Sequence, residues 1–181
     1  MIKILIVNDS PLHQKILLAL LEQQPGYNIV GVATHGAEAV RMNRQFSPDI
    51  ILMDIHMPVT NGVEATQQIM KEKPTRILIV TSTFTANMTW IFDAQAFGAM
   101  DVTKTPVVQL DASGLLTIET LMNAGAGLIH KIEVLAKVPL RNTAPKPSLL
   151  KRSSPAHPSF CHAGYCRQAS RHRGFHRGDQ M

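Results

Sequence analysis

The stretch DIILMD at residues 49–54 decides the fold, together with KILIVND at 3–9 and RILIVTST at 76–83. Each stretch contains a short run of Ile, Leu, Val or Met without Gly or Pro, which is typical of a strand buried on both faces of a parallel sheet. The runs end in the polar residues Asn8, Asp9, Asp54 and Thr81. Ligands of open α/β sheets bind beyond the carboxyl ends of the strands, so these four side chains are expected to meet in one site.

Strand-like and helix-like segments alternate over the first 138 residues. The expected strands cover 3–9, 27–33, 49–54, 76–81 and 99–103. The expected helices cover 11–24, 36–46, 63–71, 86–97 and about 115–138. This alternation predicts an α/β fold with a doubly wound, five-stranded parallel sheet.

The spacing of apolar residues predicts which side of each helix faces the sheet. The residues expected to face inward are Leu12, Ile16, Leu17, Leu20 and Leu21 in the first helix, Ala37, Val40 and Phe46 in the second, and Leu121, Leu128, Ile132 and Leu135 in the last.

The composition changes after residue 138. Residues 139–160 are rich in proline and predict an extended linker, and 161–181 predict a basic, disordered tail without Leu, Ile or Val. Residues 1–150 carry twelve basic and twelve acidic side chains, whereas 151–181 carry six basic residues and one acid. One explanation of this composition is a change of reading frame near Phe160, or another truncation.

Several partners and locations are not expected from the sequence. The basic tail could attract nucleic acid through charge alone, so no specific nucleic-acid binding is expected. The N-terminus has no signal-peptide pattern, and no apolar run approaches the length that spans a bilayer. A cytoplasmic protein without membrane insertion is therefore predicted.

Carboxylates that converge at strand ends have two chemical uses. They can chelate a hard cation such as Mg²⁺, and one of them can attack a phosphoryl group to form an aspartyl phosphate. The hydroxyl of Thr81 could bond a phosphoryl oxygen, and the ammonium of Lys104 could balance its charge.

Four motifs together resemble a response-regulator receiver domain over residues 3–108. They are NDSP after the first strand, DIHMPVTNG after the third, VTST at the fourth and FGAMDVTKTP around the fifth. With the final helix AGLIHKIEVLAKV and the proline-rich linker, the chain resembles the N-terminal half of CheB-type chemotaxis methylesterases. The Asn8-Asp9 pair and the KTP ending are most similar to the Wsp-like, surface-sensing branch.

The resemblance implies a role for each site residue. Asp54 would be the phosphoacceptor, and Asp9, Asp54 and the backbone carbonyl of His56 would hold Mg²⁺. Thr81 would be the switch hydroxyl, beside Lys104. The expected partners are a chemosensory histidine kinase and, in a full-length form, chemoreceptors or a methylesterase domain.

Two positions depart from the usual receiver pattern. Asn8 replaces an acid, so it is expected to be a weak metal ligand through its amide oxygen. A count without gaps from Gly98 puts Thr105, rather than Lys104, in the place of the family lysine. The family commonly has a cis bond at the position of Thr105–Pro106, and this form is expected here.

Three alternative functions follow from the same residues. A protein-glutamate methylesterase is disfavoured because the sequence has no G-x-S-x-G motif. A haloacid-dehalogenase-type phosphatase needs a second acid where His56 stands. A stand-alone adaptor that is not phosphorylated is consistent with Asn8 and the displaced Lys104.

Overall fold

The predicted doubly wound sheet is confirmed in a computed structural model, which describes residues 1–82, 88–108 and 117–140. The strands of this described part are β1 Ile2–Val7, β2 Tyr27–Ala33, β3 Ile50–Met53, β4 Arg76–Thr81 and β5 Asp101–Lys104. Its helices are α1 Pro11–Glu22, α2 Gly36–Phe46, α3 Gly62–Glu72, α4 Met88–Ala96 and α5 Ile118–Lys137. The strands are parallel in the order β2-β1-β3-β4-β5, the flavodoxin-like arrangement. The predicted tail, and the linker beyond residue 140, lie outside the described residues.

The central strands are buried on both faces, as their apolar runs predict. Leu5 and Val7 of β1 belong to the core formed with α2, α3 and α4, whereas Ile4 and Ile6 belong to the core formed with α1 and α5. Every residue of β3 is buried. The alternation of side chains along β1 therefore supplies both layers of the core.

Local sequence signals set the ends of several helices. The Ser10 side chain accepts the His13 N–H at the start of α1, and Pro11 occupies the first helical position. Asn61 caps α3 by accepting the Glu64 N–H at 2.9 Å. Gly98 follows α4 with a φ of 113°, a left-handed conformation that glycine adopts without strain.

Two residues predicted to face inward are exposed. Leu12 is 65% exposed, and Ala37 is also exposed. Both lie in the first turn of a helix, and helical periodicity does not reveal how far the sheet extends beneath that turn. The buried residues predicted for α5 are confirmed.

Two details near β5 also differ from the prediction. The strand begins at Asp101 rather than Ala99, because the Ala99 N–H still bonds the carbonyl of Ala94 in α4. The expectation of a cis Thr105–Pro106 bond is wrong, since the described residues contain no cis peptide.

Helices α1 and α5 approach each other closely at Gly125. A Cβ atom at this position would overlap the Cδ atoms of Leu20 and lie 2.8 Å from its Cγ. Leu20 is fully buried, so it has little room to move. A Cβ atom at Gly127, two residues along the same helix, would have no atom within 4 Å.

This difference predicts opposite outcomes for two alanine variants of α5. Gly127→Ala should stabilise the protein by up to about 1 kcal/mol, because alanine favours helix more than glycine does. Gly125→Ala should be less stable than Gly127→Ala by about 1–3 kcal/mol, the usual cost of overpacking. Urea unfolding of both variants measures the difference, and equal stabilities would contradict the close contact.

Candidate functional site

The ends of β1 and β3 bring Asp54 beside the turn that carries Asn8 and Asp9. These strands are neighbours, and the Asp54 N–H donates to the carbonyl of Val7 at 2.9 Å, which extends their pairing beyond β3. Asp9 is exposed, whereas Asp54 is half-buried. The structure therefore brings together the two carboxylates that the sequence singles out.

The burial of Asp54 and the groups around it act on the pKa of its carboxyl in opposite directions. Burial raises the pKa of this carboxyl above its ordinary value, and the backbone N–H groups of His56 and Ile55 oppose that rise. The charge of Asp9 raises the pKa of Asp54 further, and His13 lowers it. Two carboxylates close enough to repel each other attract a cation to the space between them.

Asn8 is almost completely buried and contacts Asp54 directly. Its Nδ2 donates to Asp54 Oδ2 at 2.9 Å, and its Oδ1 accepts the Ser10 N–H at 2.8 Å. The amide oxygen therefore faces Ser10 instead of Asp54. Gln14 adds support by donating from Nε2 to the Asn8 carbonyl at 2.6 Å. No sequence signal indicates the Gln14 contact, because that helix position comes close to Asn8 only through the intervening turn.

Thr81 and the end of β5 form another part of the same sheet edge. Thr81 is buried at the end of β4, and Lys104 is its partner in the strand register. The Thr105 N–H donates to the Thr81 carbonyl at 3.0 Å. Lys104 is exposed, whereas Thr105 carries a buried hydroxyl that has no hydrogen-bond partner among the described residues.

His56 connects the site to helix α4. Its ring meets the ring of Trp90 edge-on, with centroids 6.0 Å apart and an interplanar angle of 63°. Trp90 is exposed, which corrects the expectation of a partly buried packing residue. Its contact with a site residue is not evident in the sequence, because α4 and β3 are far apart along the chain.

The loop from Ile55 to Gly62 is held close to the Asp54 backbone. The Gly62 N–H donates to the Ile55 carbonyl at 2.9 Å, and a Cβ atom at Gly62 would overlap the carbonyl oxygen of Asp54. Val59 in the same loop has a φ of 69°, an uncommon conformation for a β-branched residue. The NG pair of the motif thus has a packing role: glycine allows α3 to start against the end of β3.

The residues at this edge fit a hard cation. Carboxylate and carbonyl oxygens are the ligands that Mg²⁺ prefers, and it usually keeps several waters. Within the described residues, no group of three or more His, Cys, Asp or Glu side chains could hold a metal ion. A cation here would therefore need a backbone carbonyl and water besides Asp9 and Asp54.

Comparison with known proteins gives the family. The model of the response regulator receiver domain matches residues 4–111. The chain belongs to this family. It is also similar to the crystal structure of the response regulator domain of Thermotoga maritima CheB, with a TM-score of 0.64, 32% identity, and coverage of 77% of this chain and 98% of that one. The receiver is therefore CheB-like, as the motifs predict.

Two further relatives bear on function. A protein-glutamate methylesterase/protein-glutamine glutaminase of Pseudomonas fluorescens strain Pf-5 is 40% identical over 167 residues, which cover 85% of this chain and 47% of the relative. The chain thus spans about half the length of that protein. The receiver domain of a Pseudomonas aeruginosa sensor histidine kinase is 27% identical to this chain, with a TM-score of 0.52. The match covers 59% of this chain and 86% of the kinase receiver chain. Its structure has a magnesium ion coordinated in the active-site cleft.

The tight packing around Gly62 predicts that Gly62→Ala disturbs both stability and the site. The new methyl group would meet backbone atoms, including Ile55 Cα at 2.9 Å, and these cannot move as a side-chain end can. A loss of about 1–3 kcal/mol is expected in urea unfolding. Gly26→Ala is the control, because a Cβ atom at Gly26 would have no atom within 4 Å. Equal losses in the two variants would contradict this role of Gly62.

Proposed function

We propose that this chain is a phosphorylation-dependent switch in which Asp54 accepts a phosphoryl group from a chemosensory histidine kinase. The observation that carries the proposal is the half-buried Asp54 carboxylate at the end of β3, beside the charge of Asp9, in a CheB-like receiver. A carboxylate in this setting is accessible enough to react, and its backbone contacts hold it in place.

The transfer is a displacement at phosphorus. One carboxylate oxygen of Asp54 attacks the phosphorus of a phosphohistidine, the new P–O bond forms, and the P–N bond breaks. The imidazole leaves with the electron pair of that bond and takes up a proton. Asp54 needs to be ionised to attack, so the N–H groups of Ile55 and His56 assist by stabilising its charged form.

A divalent cation such as Mg²⁺ belongs to this proposal. Asp9, Asp54 and the backbone carbonyl of His56 would hold it, because they supply the oxygen ligands at this edge. When bound, the cation would offset the negative charge of the phosphoryl oxygens.

The phosphoryl group would then act through the end of β4 and β5. It adds close to two negative charges at neutral pH, which is sufficient to attract neighbouring donors. Thr81 is proposed as the hydroxyl donor and Lys104 as the cation, since the two are register partners. Because His56 contacts Trp90, α4 would lie beside the phosphorylated residue, which supports a response in that helix.

The wider pathway of the chain is also a proposal. Its longer relatives are named methylesterases, so we assign to this chain the switch that would regulate such a domain in a chemoreceptor pathway. The described residues contain no helix long and apolar enough to cross a membrane. The cytoplasm is the proposed setting, because histidine kinases hold their phosphoryl donors there. An ester-hydrolysis assay tests the competing enzymatic function.

If Asp54 is the phosphoacceptor, replacing it should abolish labelling of the protein. Wild type incubated with acetyl phosphate and Mg²⁺ should form an acid-stable, hydroxylamine-sensitive phosphoprotein, whereas Asp54→Asn should not. Asp49→Asn is the matched control, because Asp49 lies at the opposite end of β3 and bonds the Lys3 N–H. Equal labelling of wild type and Asp54→Asn would contradict the assignment of Asp54. It would favour a non-phosphorylated adaptor, and the hydrogen bond between Asn8 and Asp54 is consistent with that function too.

If Lys104 is the charge partner of the phosphoryl group, replacing it should weaken the conformational response without preventing labelling. Lys104→Ala should still be labelled, but the change in Trp90 fluorescence on phosphorylation should shrink, because the ammonium no longer responds to the new charge. Lys71→Ala removes an exposed lysine of α3 and serves as the control. An unchanged fluorescence response in Lys104→Ala would contradict the proposed role of Lys104.

A further inference from the structure

We propose that Asn8 is a positioning residue that holds Asp54 and opposes cation binding, instead of ligating the cation through its amide oxygen. The proposal rests on the proposed function, because it concerns how a cation reaches the phosphoacceptor site. It deepens that function by giving the site a built-in competitor for the metal.

The orientation of the Asn8 amide is determined by both of its neighbours. Ser10 presents a backbone N–H, which requires an acceptor, and the structure places Oδ1 there at 2.8 Å. The ionised Asp54 side chain presents only acceptors, and Nδ2 donates to it at 2.9 Å. Turning the amide by 180° would put donor against donor and acceptor against acceptor. Because Asn8 is only 1% exposed, water could not relieve either mismatch.

This orientation gives the site an electrostatic bias. The NH₂ group is the positive end of the amide dipole, and it points toward the carboxylate that would bind a cation. A cation that approaches Asp54 Oδ2 must compete with an N–H for the same oxygen. An acid at position 8 would instead add a negative charge, so Asn8 weakens cation binding both by its missing charge and by its dipole.

The bond between Asn8 and Asp54 also helps to orient the Asp54 carboxylate. The Asn8 N–H holds Asp54 Oδ2, while the His56 N–H contacts Asp54 Oδ1 at 3.3 Å. Both oxygens of Asp54 therefore accept a hydrogen bond from the protein. These two bonds orient the carboxylate, and a cation that binds Oδ2 competes with the Asn8 amide.

The test is a Mg²⁺ titration of the full chain, with three substitutions of Asn8. Trp90 is the single tryptophan and contacts His56, so its fluorescence reports on the site, and calorimetry gives an independent affinity. Asn8→Ala removes the whole amide. Asn8→Ser also removes the NH₂ group but retains an oxygen that can accept the Ser10 N–H, which preserves the turn. Asn8→Asp adds a carboxylate. Thermal unfolding of each variant confirms that it is folded.

The two roles of Asn8 predict opposite signs for the small substitutions. If the amide opposes the cation, Asn8→Ala and Asn8→Ser should bind Mg²⁺ at least as tightly as wild type, and Asn8→Asp should bind about tenfold more tightly. If the amide oxygen is a ligand, Asn8→Ala and Asn8→Ser should both bind more weakly, which would overturn the proposal. Should Asn8→Ala fail to fold, Asn8→Ser decides between the roles.

The proposed function is tested separately on wild type. Absence of Asp54-dependent labelling there would refute the phosphoacceptor role, whatever the Mg²⁺ affinities are. Normal labelling combined with weaker Mg²⁺ binding in Asn8→Ser would refute only the role of Asn8. Mg²⁺ binding is measured without a phosphoryl donor, so neither result depends on the other.

Discussion

The burial of β1 and β3 on both faces is the constraint on which the site depends. Side chains within these strands have helices above and below them, so an unpaired carboxylate there would carry a large desolvation cost. Polar residues are tolerated where the strands end, and parallel strands end at the same edge. Asn8 and Asp54 become neighbours for this reason, although 46 positions separate them.

The loop after β3 packs against the Asp54 backbone and fixes the surroundings of its carboxylate. Gly62 lets α3 begin against the backbone of Asp54, so the carboxylate lies between a strand end and a helix start. The residue that would offer its carbonyl to a cation, His56, also contacts Trp90 of α4. A charge change at Asp54 is therefore adjacent to a helix that carries exposed apolar side chains such as Phe92. The contact between His56 and Trp90 joins the loop after β3 to α4.

The architecture was predictable because its signals are local and repeated. Apolar runs and helical spacing identified all the strands and helices of the described part, and β2 and β4 have the predicted bounds. Apart from the cis form expected at Thr105–Pro106, the errors in the fold lie at element ends. Leu12 and Ala37 follow the helical period, but their exposure depends on where the sheet stops. The start of β5 depends on a hydrogen bond back into α4, which no local pattern encodes.

By itself, the sequence determined the order of the elements and the sheet edge at which Asn8, Asp54 and Thr81 lie, because burial forces polar residues to strand ends. Only the tertiary structure decided which atoms face each other there. The Asn8 amide donates to Asp54 because the Ser10 N–H takes its oxygen. That orientation results from competition among buried donors and acceptors brought together by folding, and residue type alone does not specify it.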